Sequence, residues 1–229
     1  MAVSELLDRI QQEIADHSGL VAEEIDGAIH ITGRLDIGLG DEDQFDIDIV
    51  LDDSYPYSMP RTYETGGRVP RVLDRHYYTG DDAGCCLCMP HLFRKRFPVG
   101  APISVYINQL VVPYFQNQVH YEITGSYVSE YAHGFAGIYE YYTELFGVSE
   151  PLIILRLIKA VLARDVRGAR PCPCGGKRKQ RKCHLKSMKE LKRYMHDGQL
   201  TLDAENFKKI IEHQQDAVMA DAGDKRISI

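Results

Sequence analysis

Three of the six cysteines lie in the segment Cys85-Cys86-Leu87-Cys88, and His76 precedes the middle one by ten residues. A thiolate is strongly nucleophilic even when only a small fraction of the thiol is ionised, so it can accept and carry an acyl group. The surrounding residues 70–100 show no hydrophobic period and contain many Gly, Pro, Asp and His residues. A long loop inside a compact domain usually has a function. The pattern therefore predicts a reactive thiol on a loop.

Two other interpretations of this cluster stay open. The three thiols could bind a metal together with His76 or His91, although adjacent cysteines make poor tetrahedral ligands without strain. They could also serve only in packing. The basic run at 94–96 would lower the pKa of a nearby thiol, because positive charge favours the thiolate, and it could also hold an acidic tail. A solvated charge run is the alternative explanation of those residues.

The other three cysteines form a second cluster near the end of the chain. Cys172, Cys174, Cys183 and His184 lie within thirteen residues, and two glycines allow the chain to reverse between the pairs. Three thiolates and one imidazole suit tetrahedral zinc. The pattern closely resembles the SEC-C zinc motif, C-x-C-x8-C-[CH]. It predicts one structural zinc ion with no open coordination position.

The net charge of -6 conceals a strong segregation of charge along the sequence. Residues 164–193 hold 12 of the 27 lysine and arginine side chains but only Asp165 and Glu190 among the acids. Such a segment can bind a polyanion or an acidic protein surface, including the acidic remainder of this chain. Charge alone does not choose between these partners, and nucleic acid is the less favoured one.

Hydrophobic periodicity predicts the elements around both clusters. The expected elements are a helix capped by Ser4 and ending near residues 17–19, an antiparallel hairpin over 28–37 and 45–51, a third strand from Arg61 to Thr65, a helix from Pro102 kinked by Pro113, a helix over 135–146 stopped by Gly147, a buried helix from Pro151, and helices over 187–195 and 203–219. The fold class is therefore α+β.

In this order of elements, the first 125 residues resemble a ubiquitin-conjugating enzyme. That family has a helix and a meander of antiparallel strands, a Tyr-Pro...Pro turn, a histidine, and then Gly-x-Ile/Val-Cys-Leu. Here the turn is residues 55–60, the histidine is His76, and the last motif is Gly84-Cys85-Cys86-Leu87. The resemblance places Cys86 at the position of the catalytic acceptor.

The chain is more similar still to the compact ubiquitin-conjugating-like proteins of the short-form cyclic-oligonucleotide-based antiphage signalling system (CBASS). The matching segments are Val69-Pro70-Arg71, His76, residues 82–90, residues 110–114, Ala132-His133-Gly134 and Leu145-Phe146-Gly147. This resemblance implies that Cys86 forms a thioester with the C-terminal glycine of a cGAS/DncV-like nucleotidyltransferase. It also implies that His133 approaches Cys86.

The sequence departs from the ubiquitin-conjugating pattern at one important position. The His-Pro-Asn signature is replaced by His76-Tyr77-Tyr78, so the asparagine that stabilises the oxyanion is missing. Losing one such donor typically slows a reaction about 100-fold to 1000-fold. We expect another donor, such as a backbone amide of residues 84–88, to replace it. His76 is expected to orient the loop by hydrogen bonding, with base catalysis as the alternative.

These observations predict three parts of the chain. They are a ubiquitin-conjugating-like domain over residues 1–147, a helical connector over 148–168, and a zinc knuckle with trailing helices over 169–229. The expected function is an enzymatic acyl transfer by Cys86 in antiviral defence, in the cytoplasm and away from membranes. Because no nucleotide-binding motif occurs, the activated acyl donor must come from elsewhere. The alternative is a catalytically idle scaffold whose basic zinc tail docks a protein or nucleic acid.

Overall fold

The computed structural model describes residues 3–40, 43–80, 83–128, 131–132 and 134–224, with side chains described up to residue 216. Contacts divide the chain into two compact units, Met1–Glu130 and Tyr131–Ile229. The architecture is mixed α+β, as the sequence predicts, and the main sheet lies in the first unit.

Over the described residues, the first unit has one helix, then six strands, then three helices. They are α1 (Val3–Glu13), β1 (Leu20–Ile25), β2 (Ala28–Asp36), β3 (Gln44–Leu51), β4 (Arg61–Glu64), β5 (Tyr77–Tyr78), β6 (Gly84–Cys85), α2 (Pro90–Arg96), α3 (Ile103–Tyr106) and α4 (Val112–Thr124). A short 3-10 turn, Leu73–Arg75, precedes β5, and a π-type turn, Ile107–Val111, joins α3 to α4.

Strands β1 to β4 form an antiparallel meander in sequence order. The predicted hairpin is confirmed, with Ile31 opposite Ile49 in the register of β2 and β3. Every second side chain of β3 is buried, because successive side chains of a strand point to opposite faces. Phe45 on this face stacks on Phe115 of α4, with ring centroids 4.4 Å apart. The core therefore lies between the sheet and the helices α3 and α4.

The helix that begins after Pro102 accommodates Pro113 through a widened turn. The N–H of Val112 donates to the carbonyl of Ile107, five residues earlier, so the π-type turn lies directly before the proline. Proline removes a donor and crowds the preceding turn of a helix, and such widened turns are one way to absorb that conflict. The predicted irregularity at Pro113 therefore takes the form of a π-type turn.

Four elements of this unit, β1, β5, β6 and α2, were not predicted from the sequence. Strand β1 alternates buried and exposed residues only over its first three positions, Leu20 to Ala22, and then continues with exposed acids. Helix α2 lies inside the segment 70–100 that the sequence indicated as a loop. It also holds two carbonyls of the 55–60 turn, because the Arg94 guanidinium donates to Pro56 and Tyr57.

The second unit is helical. Its helices are α5 (Phe135–Phe146), α6 (Pro151–Leu162), α7 (Leu185–Tyr194) and α8 (Asp197–Asp224). Helix α5 ends where predicted, at Gly147, which has a positive φ of 65°. This helix lies in the second unit, whereas the predicted boundary at residue 147 assigned it to the first domain. Helix α6 is less buried than predicted, because Leu152 is exposed.

Helix α6 packs against α5, α7 and α8 and supplies the centre of this unit. Its Ile154, Leu157 and Ile158 are fully buried, and Phe207 of α8 meets Tyr142 of α5 in an edge-to-face contact. Among the described residues, no helix is long and apolar enough to span a membrane.

Candidate functional site

The thiol cluster is placed by a small ladder that follows the main sheet. Strand β5 pairs antiparallel with β6, with Tyr77 opposite Cys85 and Tyr78 opposite Gly84. His76, just before β5, adopts a left-handed conformation with a φ of 50°. This conformation is uncommon for residues other than glycine, and here it ends the 3-10 turn Leu73–Arg75 directly before β5.

Gly84 lets this ladder lie close against the main sheet. Its φ is 143°, and a Cβ atom at this position would lie 3.2 Å from the carbonyl oxygen of Thr62 in β4. Only glycine adopts this conformation without strain. The glycine of the Gly-x-Cys-Leu pattern is therefore required by the close approach of two backbones.

Cys86 follows directly after this ladder and is held by two hydrogen bonds. Its backbone N–H donates to the carbonyl of His76 over 2.7 Å. Its Sγ lies 3.1 Å from the hydroxyl of Tyr78. The side chain is half-buried, so the sulfur is partly accessible while its backbone is fixed.

The carbonyl of His76 is itself held from the core side. Tyr114 of α4 donates its hydroxyl to the carbonyls of His76 and Arg75, over 3.1 Å and 3.3 Å. The same hydroxyl bonds to the Cys85 thiol. Helix α4 thus fixes the chain at Arg75 and His76, and His76 positions the backbone of Cys86.

The three thiols of the cluster differ in burial and acidity. Burial raises the pKa of Cys85 to about 12, against which its bond to Tyr114 acts. Burial also raises the pKa of Cys88 to about 12, with Arg96 opposing this shift. Burial raises the pKa of Cys86 as well, and its bond to the Tyr78 hydroxyl opposes the increase. Cys86 is the least buried of the three.

The basic run 94–96 lowers the pKa of one nearby thiol, that of Cys88 through Arg96, but it does not contribute to the pKa of Cys86. Its pKa is raised by burial, and the opposing contribution comes from Tyr78. The guanidinium of Arg94 is instead directed to the carbonyls of Pro56 and Tyr57.

The two histidines predicted for this site have different outcomes. His76 contributes its backbone carbonyl to Cys86, and its ring lies edge-on to Tyr127, with centroids 4.7 Å apart. Its predicted role in orienting the loop therefore has a geometric basis in the main chain. His133 lies outside the described residues, and its approach to Cys86 stays a prediction.

One functional candidate was missed. Tyr78 was noted in the sequence only as the residue standing in place of the asparagine, yet its hydroxyl reaches Cys86. The signal available in the sequence was its position, two residues after His76. What the sequence did not show was the pairing of Tyr78 with Gly84, which brings the tyrosine next to the thiol.

The second unit contains a candidate metal site formed by the four predicted residues. The ligand atoms of Cys172, Cys174, Cys183 and His184 all lie within 4.8 Å of one another. The Nδ1 atom of His184 is 3.3 Å from the sulfurs of Cys172 and Cys183, and the sulfurs of Cys174 and Cys183 are 3.7 Å apart. Four convergent ligand atoms from one short segment are typical of a structural metal site.

The residues around this cluster fix its geometry. His184 Nε2 lies 3.1 Å from the carbonyl of Phe146, so Nε2 carries the proton and Nδ1 faces the thiols. Gly175, with a φ of 86°, reverses the chain after Cys174. The fully buried Gln180 accepts a hydrogen bond from the N–H of Arg167 and donates one to the carbonyl of Asp165. The metal-ligand loop is thus joined to the preceding linker.

Within the described ranges, this is the only group of three or more His, Cys, Asp or Glu residues whose ligand atoms converge in this way. The thiols at 85–88 form no comparable group with His76 or His91. The described structure therefore gives no support to a second metal site at the thiol cluster.

The basic segment around the metal site is solvent-exposed. All 12 of its lysine and arginine side chains fall in the exposed class, at positions 164, 167, 170, 177, 178, 179, 181, 182, 186, 189, 192 and 193. Arg170 forms an ion pair with Asp165 over 2.9 Å. The rest of the charge is presented to solvent on a short stretch of chain.

Comparison of the chain with protein-family models, with curated proteins and with solved structures finds no match. The chemistry of the two clusters therefore has to be judged from their own geometry.

Proposed function

We propose that this chain is a ubiquitin-conjugating-like transferase in which Cys86 carries an acyl group as a thioester. One observation supports this most strongly. Of the three clustered thiols, Cys86 is the least buried, its backbone is fixed by His76, and its sulfur has a hydroxyl within hydrogen-bond distance. A fixed and partly exposed nucleophile with a neighbouring donor is what acyl transfer requires.

The order of elements in the first unit supports the proposed fold. The chain begins with a helix, continues with an antiparallel meander of four strands, and then forms a short ladder that ends at the thiol. This is the order of elements expected for a ubiquitin-conjugating domain. Helices α3 and α4 then cover the sheet.

The proposed reaction begins with loss of the thiol proton of Cys86 to solvent. The sulfur attacks the carbonyl carbon of an activated acyl donor, a carboxylate held as a thioester or a mixed anhydride by a separate activating protein. The carbon–sulfur bond forms, and the electron pair of the carbonyl moves to its oxygen. When this pair returns, the bond to the leaving group breaks and the leaving group departs with its electrons.

The proposed acyl group is the C-terminal glycine of a cGAS/DncV-like nucleotidyltransferase, in bacterial antiphage defence. The sequence resemblance to short-form CBASS proteins carries this part of the proposal. An isopeptide on a lysine is a second product of the same thioester. The reaction is proposed for the reducing cytoplasm, where the thiols stay free.

We also propose that the metal of the second unit is a single structural zinc ion. When each zinc–sulfur distance is about 2.3 Å, tetrahedral geometry places two sulfurs about 3.8 Å apart. The 3.7 Å between the sulfurs of Cys174 and Cys183 fits this value. A zinc–nitrogen distance of about 2.0 Å gives about 3.5 Å between nitrogen and sulfur, and Nδ1 of His184 lies 3.3 Å from two sulfurs. Four protein ligands leave no position for a substrate, so the metal holds the loop in shape.

The transfer is tested by a set of cysteine variants. The chain is co-expressed with the nucleotidyltransferase and its activating protein, and covalent adducts are measured by intact mass spectrometry. Cys86→Ser should abolish the thioester or convert it to an oxyester that resists neutral hydroxylamine. Cys85→Ser and Cys88→Ser are the matched controls and should retain a hydroxylamine-labile adduct. Loss of the adduct in either control, with retention in Cys86→Ser, would assign the reaction to another thiol.

A second function is favoured by the exposed basic segment. In this alternative the first unit is an idle scaffold, and the basic metal-binding tail docks an acidic protein or a nucleic acid. The two functions predict opposite results in a phage-protection assay. The scaffold tolerates Cys86→Ser but loses protection with Cys172→Ser or Cys183→Ser, whereas the transferase loses protection with Cys86→Ser.

A further inference from the structure

The amides of Cys86 and Leu87, two of the backbone donors in the 84–88 loop, already have acceptors within the protein. The N–H of Cys86 already donates to the carbonyl of His76 over 2.7 Å, and the N–H of Leu87 donates to the carbonyl of Cys85 over 3.1 Å. The amide of the nucleophile and the amide that follows it are therefore both engaged. This argues against the backbone amide that the sequence suggested as the donor.

A side-chain donor lies at the sulfur itself. The hydroxyl of Tyr78 is 3.1 Å from Cys86 Sγ. We propose that Tyr78 is the catalytic hydrogen-bond donor of this site, stabilising first the Cys86 thiolate and then the oxyanion of the acyl-transfer intermediate. The second role rests on the proposed acyl transfer, whereas the first concerns the thiol alone.

The ladder of β5 and β6 fixes where this hydroxyl lies. Successive side chains of β5 point to opposite sides, so Tyr77 is buried with 2% exposure while Tyr78 is 42% exposed. Tyr77 anchors the strand in the core. Tyr78 pairs with Gly84, and this pairing places Tyr78 beside Cys86, which lies two residues after Gly84. The tyrosine is thus held by its backbone and keeps freedom in its ring.

The direction of the hydrogen bond changes with the charge of the sulfur. A neutral thiol can donate to the phenol oxygen, but a thiolate can only accept. Tyr78 remains protonated while Cys86 ionises, because burial and the bond to Cys86 raise the pKa of the phenol. The phenol therefore acts as a donor to the thiolate, and hydrogen bonds to a charged partner are the stronger ones.

The same hydroxyl is suitably placed for the oxyanion. Attack on a carbonyl leaves the negative oxygen two bonds from the sulfur, so a donor at the sulfur reaches it through a small rotation of the exposed ring. Tyr78 also occupies the place of the asparagine in the His-Pro-Asn pattern. The longer tyrosine side chain supplies an O–H where that pattern has an amide N–H.

Two chemical probes separate the two roles. Iodoacetamide alkylates the thiolate by displacement and forms no oxyanion, whereas p-nitrophenyl acetate acylates the thiol through an oxyanion and releases nitrophenolate. Both rates are measured on the full chain over a range of pH, with peptide mass spectrometry locating the label on Cys86. The variant is Tyr78→Phe. The matched control is Tyr57→Phe, because Tyr57 is exposed and lies outside the ladder of β5 and β6.

Tyr78→Phe should lower the alkylation rate at neutral pH about 10-fold, because the thiolate loses a charge-assisted hydrogen bond at a half-exposed position. The inflection of the pH profile should move to higher pH, and the rate at high pH should not fall. Acylation should slow by a further factor of about 10 or more, since an oxyanion donor is also lost. Tyr57→Phe should match the wild type in both assays.

The inference is overturned if Tyr78→Phe leaves both rates unchanged, or if both rates fall by the same factor and no separate oxyanion effect appears. Labelling of Cys85 and Cys88 in the same spectra reports whether the variant is folded. If it is not, 3-fluorotyrosine at position 78 is the second test, because a more acidic phenol should raise the alkylation rate at neutral pH. These assays need no protein substrate, so a missing adduct with the nucleotidyltransferase would contradict the proposed function without affecting this result.

Discussion

The substitution Gly84→Ala should destabilise the first unit by about 2–4 kcal/mol. The φ of 143° is strained for any residue with a Cβ atom, and that atom would lie 3.2 Å from the carbonyl of Thr62. Thr62 cannot yield easily, because it pairs with Ile49 in β3 and its hydroxyl lies 2.8 Å from the buried hydroxyl of Tyr106. The strain therefore has to be relieved by moving the ladder that carries Cys86.

Gly80→Ala is the matched control for this effect. Gly80 also has a positive φ, 79°, but a Cβ atom there meets no described atom within 4 Å. Left-handed backbone alone should cost about 1 kcal/mol. The difference between the two variants then measures the more strained φ of Gly84 together with its close approach to Thr62.

The assay is pulsed alkylation of the buried Cys85 across a urea titration of the full chain, read by peptide mass spectrometry. This label reports the first unit even if the two units unfold separately. With a urea dependence of about 2 kcal/mol per molar, the midpoint should fall by about 1–2 M for Gly84→Ala and by about 0.5 M for Gly80→Ala. Equal shifts for the two variants would refute the account of Gly84.

Three further predictions follow from contacts in both units. If the proposed zinc ion is bound, Cys174→Ser should lose most of it in elemental analysis, because one of the four proposed ligands is removed, whereas Cys88→Ser should keep it. Tyr106→Phe should lower the free energy of unfolding by about 1–3 kcal/mol, because the carbonyl of Pro60 and the hydroxyl of Thr62 lose a buried partner; the exposed Tyr57→Phe should have little effect. The alkylation rate of Cys86 should keep rising as the pH passes the ordinary cysteine pKa, because the pKa of Cys86 is raised. Cys85 and Cys88 have pKa values of about 12 and should stay unlabelled in the folded chain up to a pH of about 10.

The parts of the fold that local patterns encode were predictable. The alternation of Phe45, Ile47 and Ile49 predicted the buried face of β3, and Gly147 predicted the end of α5. Strand β1 was not predictable in the same way, because its last three residues are exposed and only pairing with β2 makes it a strand. Helix α2 was also not predictable from its own residues, because a helix of seven residues has too few turns to show a hydrophobic period.

The two clusters differ in how much the sequence revealed. The four metal ligands lie within thirteen residues, so their spacing alone was sufficient to predict that they converge. The thiol site is assembled from separate segments: His76 and Tyr78 before it, and Tyr114 from α4. The contact between Tyr78 and Cys86 depends on the register of β5 with β6. The raised pKa of Cys86 depends on its burial by residues distant in sequence.

The most direct test of the central claim is the intact mass of the chain purified with a co-expressed cGAS/DncV-like nucleotidyltransferase and its activating protein. The account predicts a species whose mass equals the two chains less one water, which neutral hydroxylamine separates into its components. The absence of this species, or an adduct that resists hydroxylamine and maps to a residue other than Cys86, would contradict it.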